Sequence, residues 1–240
     1  MITRKKSLFL RMKENARVQK VMSVLLPVLL ALLIFVLWQT QAIHAILRTD
    51  VFTLPLPTRI AVIIHDNWAT MYVNIKATVL VAAIGLGLGS VIGYLIAVIA
   101  VMAPKWGAGG LPIVSAFNAI PIVALAPVMT NWTKDVSNQP EIRSMVAKIL
   151  VVMIVSIASM SINAYRGLHE LKPFAMDLMT SYAASKKDIF FKLQMPNSVP
   201  YIFTALKVST PNAVISAIVS EYFAEYIVGV GREIREGAVG

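Results

Sequence analysis

Residues 77–102 carry no charged side chain, and this one run narrows the possible folds more than any other feature. About 20 consecutive apolar residues in a helix cross the roughly 30 Å hydrocarbon core of a bilayer, whereas buried helices of soluble proteins carry shorter runs. Residues 21–38 and 112–130 likewise carry none, and residues 145–162 and 202–218 are apolar runs with a single charge each, Lys148 and Lys207. A helix satisfies its backbone polar groups internally, so the expected fold is all-α: a polytopic membrane bundle with five visible spans. Composition agrees, because 58% hydrophobic and 14% charged residues leave too little polar surface to cover a soluble globule.

The net charge of +10 does not point to nucleic acid, since the basic residues punctuate apolar runs rather than gathering on one soluble face. They are better read as topology signals. Residues 1–20 hold Arg4, Lys5, Lys6, Arg11, Lys13, Arg17 and Lys20 against one acid, Glu14, which predicts a cytoplasmic N-terminus. The first apolar run is too long for a signal-peptide core and no A-x-A site follows Trp38, so it reads as a retained anchor. Counting spans then places Lys105 and the basic stretch 163–201 inside, and the loops 39–76 and 131–148, with Lys148 among their basic residues, outside. The domain reading is a basic segment 1–20 followed by one membrane domain 21–240 that includes the cytoplasmic segment 163–201.

Without cysteine, and with only His44, His65 and His169 scattered along the chain, there is neither a thiolate site nor metal-ligand spacing. Gly85, Gly89 and Gly93, continued by Ala97, form a small-residue face suited to close helix packing. The sequence GLGLGSVIG lacks the G-x-G-x-x-G spacing of a nucleotide fingerprint. Pro121 and Pro127 predict a kink in the third span, and Asn118, Thr210, Asn212 and Ser216 are candidates, with those prolines, for a substrate pathway or for interhelical hydrogen bonds. Lys207 is expected to snorkel towards the cytoplasmic interface. Glu221, with Glu225 one turn on, is expected at a solvated outer mouth, where it could also serve docking or gating.

The stretch DLMTSYAASKKDIFFKLQMPNSVP is too polar for lipid and too long for a tight turn. It reads as a helix over 177–182, a break at Ala183 and Ala184, and a second short helix capped by Ser185, with Asp188 at the capping-box position. Pro196 is expected to end that helix. Lys186 and Lys187 give it a polar side, and Ile189, Phe190 and Phe191 an apolar one.

This segment resembles the cytoplasmic loop of binding-protein-dependent ABC importer permeases, whose pattern is E-A-A, three residues, G, nine residues, I-x-L-P. Asp177 takes the glutamate position, Ala183 the glycine, and Met195-Pro196 the L-P, while Leu178 and Met179 replace the alanines. LPLPTRIAVIIHDN, the glycine-rich second span, IPIVALAP, NAYRGL and LKVSTPNAVISAIVSEYFAE are similar, in order and spacing, to the nitrate, sulfonate and taurine type. NWTKDVSNQPEIRS departs from the family's W-F-G-x-G turn, keeping only Trp132, and the family's last span after a G-x-G is expected to be missing beyond Gly229 to Gly231. The resemblance implies the inner membrane of a prokaryote, an ATPase-coupling helix at about 185–190, two permeases around one pathway, and an external solute-binding protein near Glu221. This chain has no P-loop, so it would bind no cofactor, with ATP and magnesium held by a separate ATPase subunit. An ion-coupled transporter or channel is the alternative, disfavoured because no inverted repeat is visible and every Asp and Glu lies in a loop or at a span end. A membrane scaffold is a third class.

Overall fold

A computed structural model describes residues 16–223 and 228–239. Arg4, Lys5, Lys6, Arg11, Lys13 and Glu225 lie outside the described residues, which form helices and no strand. The chain divides into two compact units, 1–68 and 69–240.

In the first unit, α1 (Ala16–Gln39) contains Pro27 and exposes its apolar side chains along its length. A short α2 (Ala42–Leu47) follows, and α3 (Pro57–Asp66) starts with proline at its first position, where the missing N–H costs nothing. Gln39 and Thr58 pair reciprocally: the Gln39 amide donates to Thr58 Oγ1 (3.1 Å) and the Thr58 N–H to Gln39 Oε1 (3.2 Å). Buried His44 donates from Nε2 to the Leu54 carbonyl (2.6 Å), closing the intervening loop.

The second unit is built on α4 (Trp68–Met102), α7 (Pro140–His169) and α10 (Met195–Phe223). The glycine face of α4 lies directly on α7. A Cβ added to Gly89 would sit 2.6 Å from the Met153 carbonyl oxygen, and one added to Gly93 would sit 2.7 Å from that of Ile157. Such an approach lets backbones gain dispersion contacts where lipid offers no hydrophobic drive to associate. Gly87 faces open space, so only the four-residue series is a seam. α7 and α10 are tied by Ser209 Oγ, which donates to Ser159 Oγ (2.8 Å), and by the close crossing at Gly167. Asn197 donates to the carbonyls of Gly167 (2.7 Å) and Glu170 (3.1 Å), closing the end of α7. A core of Ala97, Met160, Ala164, Leu168 and Ala205 fills this end of the bundle.

Two expected elements differ. The third span is not one kinked helix over 112–130: α5 (Pro104–Ala116), a 3₁₀ turn (Phe117–Ala119) and α6 (Ile122–Trp132) replace it, bent by 101° at the break. Pro121 has no N–H and forces Ile120 into an extended conformation (ψ 121°), so the helix stops and restarts at Pro121. Four described helices are therefore long and apolar enough to cross a membrane, or five when the bent pair counts as one span. Nor does Pro196 end the short helix before the fifth span. The backbone runs from α9 (Lys186–Ile189) through a π-helical turn (Phe190–Gln194) into α10. Met195 N–H bonds to the Phe190 carbonyl five residues back, and Pro196 sits in the first turn of α10, where a missing donor is tolerated.

Candidate functional site: coupling segment and buried polar cluster

At the C-terminal end of α7, α8 (Ala175–Ser181) starts after Phe174, itself left-handed at φ 63°. Asp177 lies exposed in its first turn, next to the N-terminal dipole. The end of α8 is a Schellman closure: Ala183 N–H donates to the Thr180 carbonyl (2.9 Å) and Ala184 N–H to that of Met179 (3.0 Å). This closure needs a left-handed residue, and Ala183 supplies it at φ 51°. The turn expected of the glycine position is therefore present although the residue there carries a Cβ, which costs roughly 1–2 kcal/mol.

Ser185 caps α9 as its spacing predicts, its Oγ accepting from Asp188 N–H (3.2 Å). Asp188 also pairs with Lys192 one turn on (2.6 Å). The Lys192 ammonium and the Ser185 hydroxyl hold the Asp188 carboxyl well below its usual range, at about 2. Lys186 and Lys187 are exposed, and with Ile189, Phe190, Phe191 and Met176 they border a cavity of about 570 Å³.

The two adjacent phenylalanines have different surroundings. Phe190, at the start of the π turn, is half-buried and packs onto the core of Ala97, Leu168 and Ala205 while also bordering that cavity. Phe191, edge-on to it with ring centres 5.1 Å apart, is 59% exposed. Phe174, Leu178 and Tyr182 are exposed too, so α8 and α9 together display an apolar surface. Pro196 is exposed beside it.

The expected pathway residues divide by exposure. Asn118 and Pro121 are exposed at the break, Pro127 is exposed on α6, and Thr210 and Asn212 are exposed on α10. Ser216 is fully buried, its hydroxyl donating to the Asn212 carbonyl (2.7 Å), and faces the bundle interior.

Glu221 is the largest departure. It does not lie at a solvated mouth: its exposure is 0%, and its carboxylate faces Lys148 Nζ at 3.3 Å. Lys148 is not an outer-loop residue either, because α7 begins at Pro140 and carries it, 4% exposed, into the bundle. Thr78 Oγ1 lies 2.9 and 3.1 Å from the two carboxylate oxygens and donates its one O–H to the carboxylate, and Gly231 N–H donates at 3.0 Å. Lys148 donates further to the Val228 carbonyl (2.9 Å). The chain then turns over this group and enters α11 (Val230–Val239). Gly229 has φ 144°, and a Cβ there would run into the Glu221 carboxylate; one on Gly231 would meet the Ile218 carbonyl. Asn74 completes the cluster, accepting from Gly229 N–H (2.9 Å) and donating to Glu233 (2.8 Å). Removing one partner of such a pair leaves the other charge buried, at a cost of about 3–5 kcal/mol. Sequence reasoning missed Asn74, Thr78 and Lys148. The available signal was the opposite charge of Lys148 and Glu221 at the same end of successive spans.

Among the described residues no group of His, Asp and Glu is arranged to hold a metal ion. The model of the family described as "binding-protein-dependent transport system inner membrane component" matches residues 89–239. The formylaminopyrimidine transport permease protein ThiX of Halalkalibacterium halodurans is 27% identical over 197 residues, 82% of this chain and 74% of the relative. The bicarbonate transport system permease protein CmpB of Synechocystis is 31% identical over 94 residues, 39% of this chain and 31% of that one. The nitrate import permease protein NrtB of Synechococcus elongatus is 25% identical over 139 residues, 58% and 47% of the two chains. The match reaches from the glycine seam through the left-handed turn at Ala183 to the G-x-G over Glu221, and the chain belongs to the inner-membrane components of binding-protein-dependent transport systems, the ABC transport permeases.

Proposed function

We infer that this permease works in an ATP-driven importer, with α8 and α9 as the surface on which a separate ATPase subunit docks. One observation carries the reading: the chain builds a Schellman turn and a capped helix, at the expense of a strained Ala183, and uses them to hold Phe174, Leu178, Tyr182 and Phe191 exposed beside Lys186 and Lys187. A rigid apolar surface rimmed by charge suits a protein partner. Asp177, Ala183, Ala184, Ser185, Asp188 and Ile189 act as the scaffold of that surface, and Phe190 fixes it to the spans. ATP and magnesium belong to the ATPase, whose closure tilts α10 through the continuous path from α9. A second permease, the same chain or a related one, faces the exposed side of α10, where Thr210 and Asn212 line the route of a small polar solute together with Asn118 and the break at Pro121. An extracytoplasmic binding protein delivers that solute, and the N-terminus and Lys186 lie on the cytoplasmic side of the inner membrane.

The test is copurification. Wild-type chain purified in detergent should retain an ATPase subunit, and Phe191→Asp, which removes an exposed side chain without touching the core, should release it at unchanged expression. ATPase retained at the wild-type level by both Phe191→Asp and Tyr182→Asp would refute the docking surface. In the otherwise cysteine-free chain, labelling of Lys186→Cys from outside intact cells would reverse the orientation.

A further inference from the structure

The Glu221 cluster joins four segments at the end of the bundle opposite Ala183: Asn74 and Thr78 on α4, Lys148 on α7, Glu221 on α10, and Gly229 to Glu233 leading into α11. We propose that it is a permanent lock, which keeps these four ends together as one body through the whole transport cycle, so that access on that side is opened by other parts of the chain. The proposal rests on the reading of the chain as a transport permease and adds to it where motion does and does not occur.

Three observations support it. The carboxylate takes its donors from three different segments, Thr78 Oγ1, Lys148 Nζ and Gly231 N–H, so no segment leaves without stripping it. Both charges are buried, and separation would strand an ammonium and a carboxylate among apolar helices at once. The cluster also continues into the glycine seam, since Thr78, Ala82, Gly85, Gly89 and Gly93 share one face of α4 and are all buried. Backbones in contact at Gly89 and Gly93 leave no room for α4 to rotate against α7, because even one added Cβ would lie 2.6–2.7 Å from a carbonyl oxygen. The broken segment at Pro121 and the exposed face of α10 take no part in the lock and are where movement is left to happen.

The chain has no cysteine, so Ser220→Cys, a near-isosteric change at a side chain of 0% exposure beside Glu221, reports opening directly. In the complex with its ATPase, a membrane-impermeant maleimide should label Ser220→Cys to less than about a tenth of the extent of the exposed control Phe223→Cys, both without nucleotide and with ATP and vanadate. Labelling of Ser220→Cys that rises severalfold in either state overturns the lock and makes the cluster a gate. A second measurement needs no partner. In the full chain in detergent, Lys148→Met and Glu221→Gln should each lower the melting temperature, and Lys148→Met combined with Glu221→Met should recover most of the loss. A Lys148→Met variant that melts with the parent also overturns the proposal, whereas a preparation that retains no ATPase counts against the proposed function alone.

Discussion

Ala183→Gly should stabilise the turn between α8 and α9, although glycine normally weakens the structure around it. The reason is the φ of 51° at this position, where an L-residue sets its Cβ against the following carbonyl at a cost of roughly 1–2 kcal/mol. Glycine removes that cost and adds back about 0.4–1 kcal/mol through the greater freedom of its unfolded chain. The balance favours glycine by about 0.5–1 kcal/mol, a factor of about 2–5 in the opening equilibrium. The backbone amides of Ala183 and Ala184 report that opening because they close the Schellman turn onto Thr180 and Met179. Their hydrogen exchange in the detergent-solubilised chain should slow by about that factor in Ala183→Gly. It should quicken in Ala183→Val, because a β-branched side chain fits a positive φ worse than alanine does. Were residue 183 an ordinary right-handed helical position, glycine would instead destabilise it by about 1 kcal/mol relative to alanine. Faster exchange in Ala183→Gly would therefore refute the left-handed turn and the strain argument with it.

Two further outcomes follow from packing. Gly89→Val should abolish or sharply lower a cooperative thermal transition, because its Cβ alone would meet the Met153 carbonyl at 2.6 Å, while Gly87→Ala, with nothing within 4 Å, should melt with the wild type; equal melting of the two variants would remove the seam. Phe190→Asp should lower expression and melting temperature by burying a charge in the core of Ala97, Leu168 and Ala205, rather than selectively releasing an ATPase; size-exclusion yield and melting measured beside Phe191→Asp separate the two effects.

The span pattern was legible in the sequence because the bilayer imposes a length, and no tertiary contact is needed to read about 20 apolar residues as a crossing. The glycine face was legible for a similar reason: spacing by four places small residues on one side of any helix, and the structure lays that side on α7. Capping is equally local, so Ser185 and Asp188 could be assigned from their spacing and are found paired. What depended on three dimensions could not be read this way. A proline inside an apolar run is compatible with a kink or a stop, and Pro121 ends the helix, with a bend of 101° at the break. Phe190 and Phe191 are neighbours of the same type, and only the π turn decides which of them faces the bundle. The solvated mouth assigned to Glu221 failed because a charge near a helix end is read as exposed unless its partner is known. Its partners come from residues 78, 148 and 231, as far as 143 positions away in sequence, and proximity of that kind exists only once the helices have packed.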